Sequence, residues 1–280
     1  MGVFDGCLLA CDIDGTLICD NTLPERNIRK INGFVKNGGK FVLSTGRTST
    51  AVSCVTDKIK CISPSVLSNG CVIYDFENRK ALKEKVLAKK AFEMAEKVIN
   101  TAGISAEIHT ANSVFVPIRS KMSDLHEAYE SMEVMFASTK DIARDNINKI
   151  IYFIENEEQL NTVHRIAEDY KSLCAFYDTS ARINGVKQNY FEQIPKGVSK
   201  AAALKDLCNI LKVKNGGFFA IGDYYNDIEM IKNADVSAVP SEAPDELKNA
   251  ASITVGSAAD GAVADFIEYL EKGLKNGQAN

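Results

Sequence analysis

The sequence predicts an α/β fold in which a parallel sheet flanked by helices is interrupted by a second, inserted α+β unit. Three observations lead there. Short apolar, β-rich runs alternate with stretches of helical period at both ends of the chain. Several of those runs end abruptly in polar residues, as strands of an open parallel sheet do at their carboxyl edge. Between about Lys83 and Phe191 the alternation changes character. The expected division is a sheet domain from residues 1–82 and 192–280, with 83–191 as the insertion. The chain of 280 residues is long enough for either one large domain or two modest ones.

GCLLACD, residues 6–12, is the first strand. ERNIRKINGFVKNGG follows Pro24 with Ile28, Ile31, Phe34 and Val35 on one face and closes at Gly38-Gly39, which predicts a crossover helix. KFVLSTGR, 40–47, is a second strand, TSTAVSCVTDKIK, 48–60, a helix, and PSVLSNGCVIYD, 64–75, a third strand. In the insertion, helices near KKAFEMAEKVINTA, MSDLHEAYESM and NEEQLNTVHRIAEDYKSL are expected. They alternate with the strand-like AEIHTA, SVFVPIR, NKIIYFIE, LCAFYD and QNYFEQI. VSKAAALKDLCNILK is then a helix with Ser199 as N-cap, and GGFFAIGD a strand. YNDIEMIKNA, APDELKNAA and GAVADFIEYLEKGL are helices around the short strands VSAV and SITVG.

Composition narrows the function classes. Hydrophobic residues at 45% and charged residues at 25% describe a globular chain, not a disordered or fibrous one. A net charge of -4 with interspersed signs offers no basic field for a nucleic-acid partner. No apolar stretch reaches the roughly 20 residues that span a bilayer, and the start MGVFDGCLLACDID lacks secretory and myristoylation signals, so a cytoplasmic location is expected. The eight cysteines include no CxxC pair, which predicts reduced, largely buried thiols. His109, His126 and His164 have no partners at zinc-ligand spacing. Nothing in the sequence addresses oligomeric state.

The strand ends carry the chemistry. Asp12 with Asp14, Thr45 with Gly46, and Asp223 with Asp227 converge on one crevice if the strands are parallel, and Lys200 stands in the first turn of a capped helix. Crowded carboxylates repel one another unless a cation lies among them. An oxygen-only donor set points to magnesium, which shares its shell with water and substrate phosphate. An EF-hand calcium loop fails, since Thr16 and Leu17 occupy its fifth and sixth positions counted from Asp12. Asp12 is a candidate nucleophile toward phosphorus, and Asp14 a candidate general acid/base. Gly15 permits the turn between strand and loop. The Thr45 hydroxyl and the Gly46 amide suit phosphoryl oxygens, and the Lys200 ammonium suits the charge that spreads over them in the transition state.

Taken in order, DIDGT at 12–16, STGR at 44–47, GVSK at 197–200 and GDYYND at 222–227 resemble the four motifs of the haloacid dehalogenase (HAD) superfamily. The insertion resembles the type 2B cap of its Cof-like hydrolases, and SNG at 68–70 also fits that family. The resemblance implies a Rossmann-like core and a magnesium-dependent phosphatase acting on small phosphorylated metabolites, sugar phosphates or phosphorylated cofactors. By residue-by-residue match it implies Asp12 as nucleophile and Asp14 as acid/base, with Thr45, Gly46, Lys200 and Asn226 on the phosphate side. Asp12, Asp14 through its main-chain carbonyl, Asp223 and Asp227 make up the metal side, Asp227 as a supporting group. Lys200 rather than Lys196 takes the lysine role because it follows the Ser of GVSK. Two departures are Tyr224, where a small residue is usual, and AVPSEAP at 238–244, where a Gly-Asn-Ala stretch is usual. A phosphomutase resembling the phosphomannomutases, and a non-catalytic sensor of phosphorylated metabolites, are the alternative readings.

Overall fold

The computed structural model describes residues 2–59, 62–183 and 185–276. It begins with β1 (Leu8–Cys11), α1 (Glu25–Lys36), β2 (Lys40–Leu43), α2 (Ser53–Thr56), β3 (Ser65–Leu67) and β4 (Val72–Asp75). Next come β5 (Lys80–Glu84), α3 (Lys89–Ala102), β6 (Ala106–His109), β7 (Val114–Val116), α4 (Lys121–Glu130) and β8 (Val134–Phe136). α5 (Thr139–Ile142), β9 (Lys149–Ile154), α6 (Glu157–Ala167), β10 (Cys174–Ile183) and β11 (Val186–Pro195) follow. The chain closes with α7 (Lys200–Ile210), β12 (Phe218–Ile221), α8 (Ile228–Asn233), β13 (Val236–Val239), α9 (Asp245–Ala250), β14 (Ile253–Thr254) and α10 (Ala262–Lys275). Two compact units emerge, one from residues 1–46, 53–79 and 199–280, the other from 47–52 and 80–198.

The first unit is built on a parallel sheet of order β14-β13-β12-β1-β2. β1 and β12, at its centre, are apolar on every residue because both faces are covered. Leu8, Ala10, Val42 and Ala220 pack with Leu204 and Leu207 of α7, Met230 of α8 and Leu247 of α9. By strand alternation Leu9, Phe41 and Phe219 face the other way, toward the side where α1 and α10 pack together. Each such side chain contributes about 1.5–3 kcal/mol on burial. The expected α/β core with a parallel sheet is borne out.

Two elements differ locally from expectation. The helix expected at 48–60 contracts to Ser53–Thr56. Before it the chain forms a turn in which the Thr48 hydroxyl accepts from the Ala51 amide and the Arg47 guanidinium donates to the Ala51 carbonyl. Lys60, the end of that expected helix, lies outside the described residues, as do Cys61 and the last four residues of the polar tail. The strand expected at 64–75 is an antiparallel hairpin of β3 and β4, broken at Ser68–Gly70 by three successive residues of positive φ.

The second unit carries a six-stranded sheet of order β10-β11-β9-β6-β7-β8, antiparallel except for β7 with β8. α3 and α6 cover one face through Phe92, Val98, Val163 and Ile166, over Ile108, Ile150 and Tyr152. α4 lies on the other, where His126 meets the rings of Phe153 and Tyr190. The sequence division at 191/192 falls within β11, whose ladder with β10 carries the second unit's sheet on through Pro195. That at 82/83 falls within β5. β5, β8 and α5 were not among the expected elements. Of the described cysteines, Cys7, Cys11, Cys71 and Cys174 are buried, and all seven are free thiols. No helix of the described residues is long and apolar enough to cross a membrane.

Candidate active site

β1 lies between β2 and β12, so the ends of these three strands are neighbours. The Asp12 amide donates to the Ile221 carbonyl (3.0 Å) and the Ser44 amide to the Cys11 carbonyl (2.8 Å). Asp12 is thereby fixed between the Gly222-Asp223 and Ser44-Thr45 turns. Beyond it the chain winds tightly: the amides of Leu17 and Ile18 both donate to the Ile13 carbonyl. Gly15 is required in that turn twice over. Its φ is +75°, and a Cβ there would come within 2.3 Å of the Asp223 carboxylate.

Asp12, Asp223 and Asp227 bring a carboxylate oxygen each within 4.8 Å of one another. Lys200 reaches into this group, its ammonium 2.6 Å from Asp12 Oδ1 and 2.7 Å from Asp227 Oδ1, and both lysine and Asp227 are fully buried. Ser199 caps α7 by accepting from the Ala202 amide, as expected, and so aims Lys200 inward. A lysine at the first position of a helix opposes the macrodipole. Its two carboxylate partners offset that cost. They also outweigh the burial that would neutralise the amine, and hold its pKa above the ordinary lysine value.

The acids occupy different situations. Asp227 Oδ2 accepts from the amides of Asp223 (3.2 Å) and Tyr224 (3.3 Å), so both of its oxygens are engaged by the chain. Asp223 Oδ1 accepts from the Thr16 hydroxyl at 3.1 Å. Burial, with Asp227 adding to it, pushes Asp223 up to about 6. Burial likewise pushes Asp12 well above the carboxylate range, against the pull of Lys200 and with Asp227, Asp223 and Asp14 contributing repulsion. These upward shifts mark acids whose charge the one ammonium does not fully compensate, and all the donors are oxygens. That donor set fits a hard divalent cation.

Asp14 is half-buried on the turn after β1, outside the carboxylate triad, in a backbone bridge with Ile18. Thr45 is buried, its amide bonded to the Val66 carbonyl and its own carbonyl accepting from the Asn69 amide, both at 3.0 Å. Asn226 stands exposed in the 3-10 turn Tyr225–Asp227 and has no side-chain hydrogen bond to the acids among the described residues. Tyr224 and Tyr225 are also exposed there, ring to ring at 5.0 Å. Two participants received no role from the sequence, Thr16 and Asn69. Thr16 stood inside DIDGT, and the only signal was a hydroxyl one turn past two acids. Asn69 stood in SNG, whose two residues before glycine turn out to have positive φ.

The sequence profile of the haloacid dehalogenase-like hydrolases matches residues 9–267, nearly the whole chain. The chain belongs to this family. Among relatives of this haloacid dehalogenase-like hydrolase is the 5-amino-6-(5-phospho-D-ribitylamino)uracil phosphatase YcsE of Bacillus subtilis, 25% identical, with 94% of each chain covered. The crystal structure of TM0651 from Thermotoga maritima superposes with a TM-score of 0.82 at 18% identity, covering 94% of this chain and 97% of that one. The sugar phosphatase BT4131, of HAD subclass IIB, superposes with a TM-score of 0.77 at 17% identity over 96% and 99% of the two chains. At such identities the likeness of the structures is one of fold, and it bears out the expected HAD core with an inserted α+β unit.

Proposed function

We propose that this hydrolase is a magnesium-dependent phosphatase that cleaves small phosphomonoesters through an aspartyl-phosphate on Asp12. The observation that carries the reading is the Asp12–Lys200–Asp227 clamp, with Asp223 beside it and the Thr45-Gly46 turn at the adjoining strand end. The names of YcsE and BT4131 support phosphorylated metabolites, sugar phosphates among them, as the substrate class.

In the first step an Asp12 carboxylate oxygen attacks phosphorus as the bond to the substrate's ester oxygen breaks, and Asp14 delivers a proton to that departing oxygen. In the second, Asp14 takes a proton from water. The water oxygen attacks phosphorus, the bond to Asp12 breaks, and inorganic phosphate leaves. Thr45, the Gly46 amide and Lys200 hold the phosphoryl oxygens while charge moves across them. Asp12, Asp223 and the Asp14 main chain would hold the divalent ion, with Asp227 supporting from behind. When bound, that ion supplies positive charge between the acids and the incoming phosphate. An acid/base next to the nucleophile favours hydrolysis over a sensor that keeps its phosphoryl group, because a lasting phospho-aspartate has no use for one.

Acid-quenched intact mass with acetyl phosphate or p-nitrophenyl phosphate tests the reading. In magnesium the chain should gain one phosphoryl group on the peptide containing Asp12. Asp14→Asn should accumulate the adduct, and Asp12→Asn should show none and lose turnover by at least about a thousandfold. Undiminished turnover in a chelator, or oxygen from labelled water entering phosphate without first labelling Asp12, would remove the proposed mechanism.

A further inference from the structure

The SNG turn is left over from the mechanism above, yet it touches both halves of the phosphoryl site. The Asn69 amide donates to the Thr45 carbonyl at 3.0 Å. Its side chain fills the space over Gly46: a Cβ on that glycine would lie 3.0 Å from Asn69 Oδ1 and 3.5 Å from Nδ2. On the other side, Gly70 packs directly on the start of α7. A Cβ there would come within 2.3 Å of the Ser199 carbonyl oxygen and 3.1 Å of the Lys200 amide. Asn69 and Gly70 thus set the spacing between the Thr45-Gly46 turn and the helix end that carries Lys200.

The turn is held in a costly conformation. Ser68 and Asn69 have φ of 50° and 57°, in the left-handed region that side-chain-bearing residues avoid, Ser more than Asn. Among the described residues the other such consecutive pair, Asp20 and Asn21, is exposed, whereas Ser68 is 1% exposed. Glycine would adopt the same backbone at Asn69 without steric strain, which offsets the entropy it adds to the unfolded chain. Retaining a side chain there is a stability sacrifice of the kind concentrated at functional sites.

We propose that Asn69 is a positioning residue for the phosphoryl group: its main chain fixes Thr45 and its carboxamide fixes the Gly46 turn, holding both at a set distance from Lys200. The proposal rests on the phosphatase reading above. Removing the carboxamide leaves the catalytic groups in place but lets the Gly46 turn relax, which weakens ground-state phosphate binding and slows transfer together.

The test is Asn69→Gly in the full-length chain, read by melting temperature, competitive inhibition by inorganic phosphate, and kcat and KM for p-nitrophenyl phosphate. The expected result is an unchanged or higher melting temperature, with phosphate inhibition weakened and kcat/KM lowered, each at least tenfold. Asn69→Asp keeps the shape but places a carboxylate beside the phosphoryl site, so its kcat/KM should fall below that of the glycine variant. Phosphate inhibition and kcat/KM within twofold of the parent in Asn69→Gly would overturn the proposal. So would a loss that accompanies a lowered melting temperature, since that marks a merely structural residue. A parent chain that binds inorganic phosphate but hydrolyses no p-nitrophenyl phosphate separates the two claims, because the inhibitory site is then read by direct phosphate titration of parent and variant. A parent that binds none removes the phosphoryl site and the positioning role with it.

Discussion

Lys200 shows how one side chain decides the state of its neighbours. Among the described residues its buried ammonium is the sole cation hydrogen-bonded to Asp12 and Asp227, at 2.6 and 2.7 Å. Taking one member from a buried ion group leaves the others uncompensated, at a cost of about 3–5 kcal/mol. Lys200→Met should lower unfolding stability by that order at pH 7.5 in the absence of divalent cation, measured by urea titration. The deficit should shrink at pH 5, where Asp12, whose carboxyl burial already pushes well above the carboxylate range, is the more readily neutralised. Activity should fall by at least about a hundredfold, the scale of one lost donor to the phosphoryl oxygens. A stability loss equal at both pH values would mean that the lysine does not compensate the acids. At this scale the sequence was legible where a residue type has few other uses at a strand end, as with Asp12, Asp223 and Asp227. It was not legible for Thr16, because a threonine one turn past two acids is indistinguishable from a turn residue until Asp223 is seen 3.1 Å away.

At the scale of elements, β6 and α4 are joined by an ion pair inside the second unit. Glu107 of β6 is fully buried, and both its oxygens lie 3.0 Å from His126 Nδ1 on α4, while His109 Nε2 lies 3.2 Å from Oε2. Burial alone would neutralise both partners. Their mutual attraction wins, lowering Glu107 to about 2 and, with Glu130 adding and Lys149 opposing, raising His126 to about 9. His109 is instead driven down by burial. Because the folded pKa of His126 lies above its unfolded value, its stabilisation is complete below about pH 6.5 and disappears as pH rises through 9. For Glu107 the contribution is present above 4.5 and is lost as pH falls toward 2. The second unit should therefore lose on the order of 3 kcal/mol between pH 6.5 and 9.5. His126→Gln, which keeps a hydrogen-bonding group but no charge, should flatten that dependence in urea unfolding monitored at pH 6, 7.5 and 9.5. Parallel profiles for parent and variant would exclude the pair as its source. Elements with a strong period were legible almost to the residue, as with α3 and β13. The stretch at 48–60 was not, because Thr48 and Arg47 satisfy the Ala51 peptide from outside a helix, and a period gives no sign of such competing bonds.

For the whole molecule, the separation of the two units in sequence carries a consequence for selectivity. Every residue assigned to the chemistry, Asp12, Asp14, Thr45, Gly46, Lys200, Asp223 and Asp227, belongs to the first unit, as does the parallel sheet that holds them. That unit has its own core, from Leu8 and Val42 through Leu204 to Leu247, and its five-stranded parallel sheet draws no strand from 80–198. The alternation of strands and helices made this legible, since parallel strands need crossovers and the helical periods supplied them. The insertion was legible as a change of pattern, but its sheet order was not, because antiparallel pairing between distant strands leaves no local mark. If the second unit serves as a cap that selects substrates, joining Arg79 to Ser199 through a short Gly-Ser linker should leave a folded first unit. It should retain slow, magnesium-dependent hydrolysis of p-nitrophenyl phosphate, whose small leaving group asks for little beyond the phosphoryl site. Its kcat/KM values across a panel of sugar phosphates and phosphorylated cofactors should collapse toward a common value, because phosphoryl contacts are the same for all of them and the discriminating contacts have been removed. An excised chain that folds yet keeps the parent's rank order of substrates would place selectivity in the first unit, with the exposed Tyr224 and Tyr225 beside Asp223 as the groups to replace next.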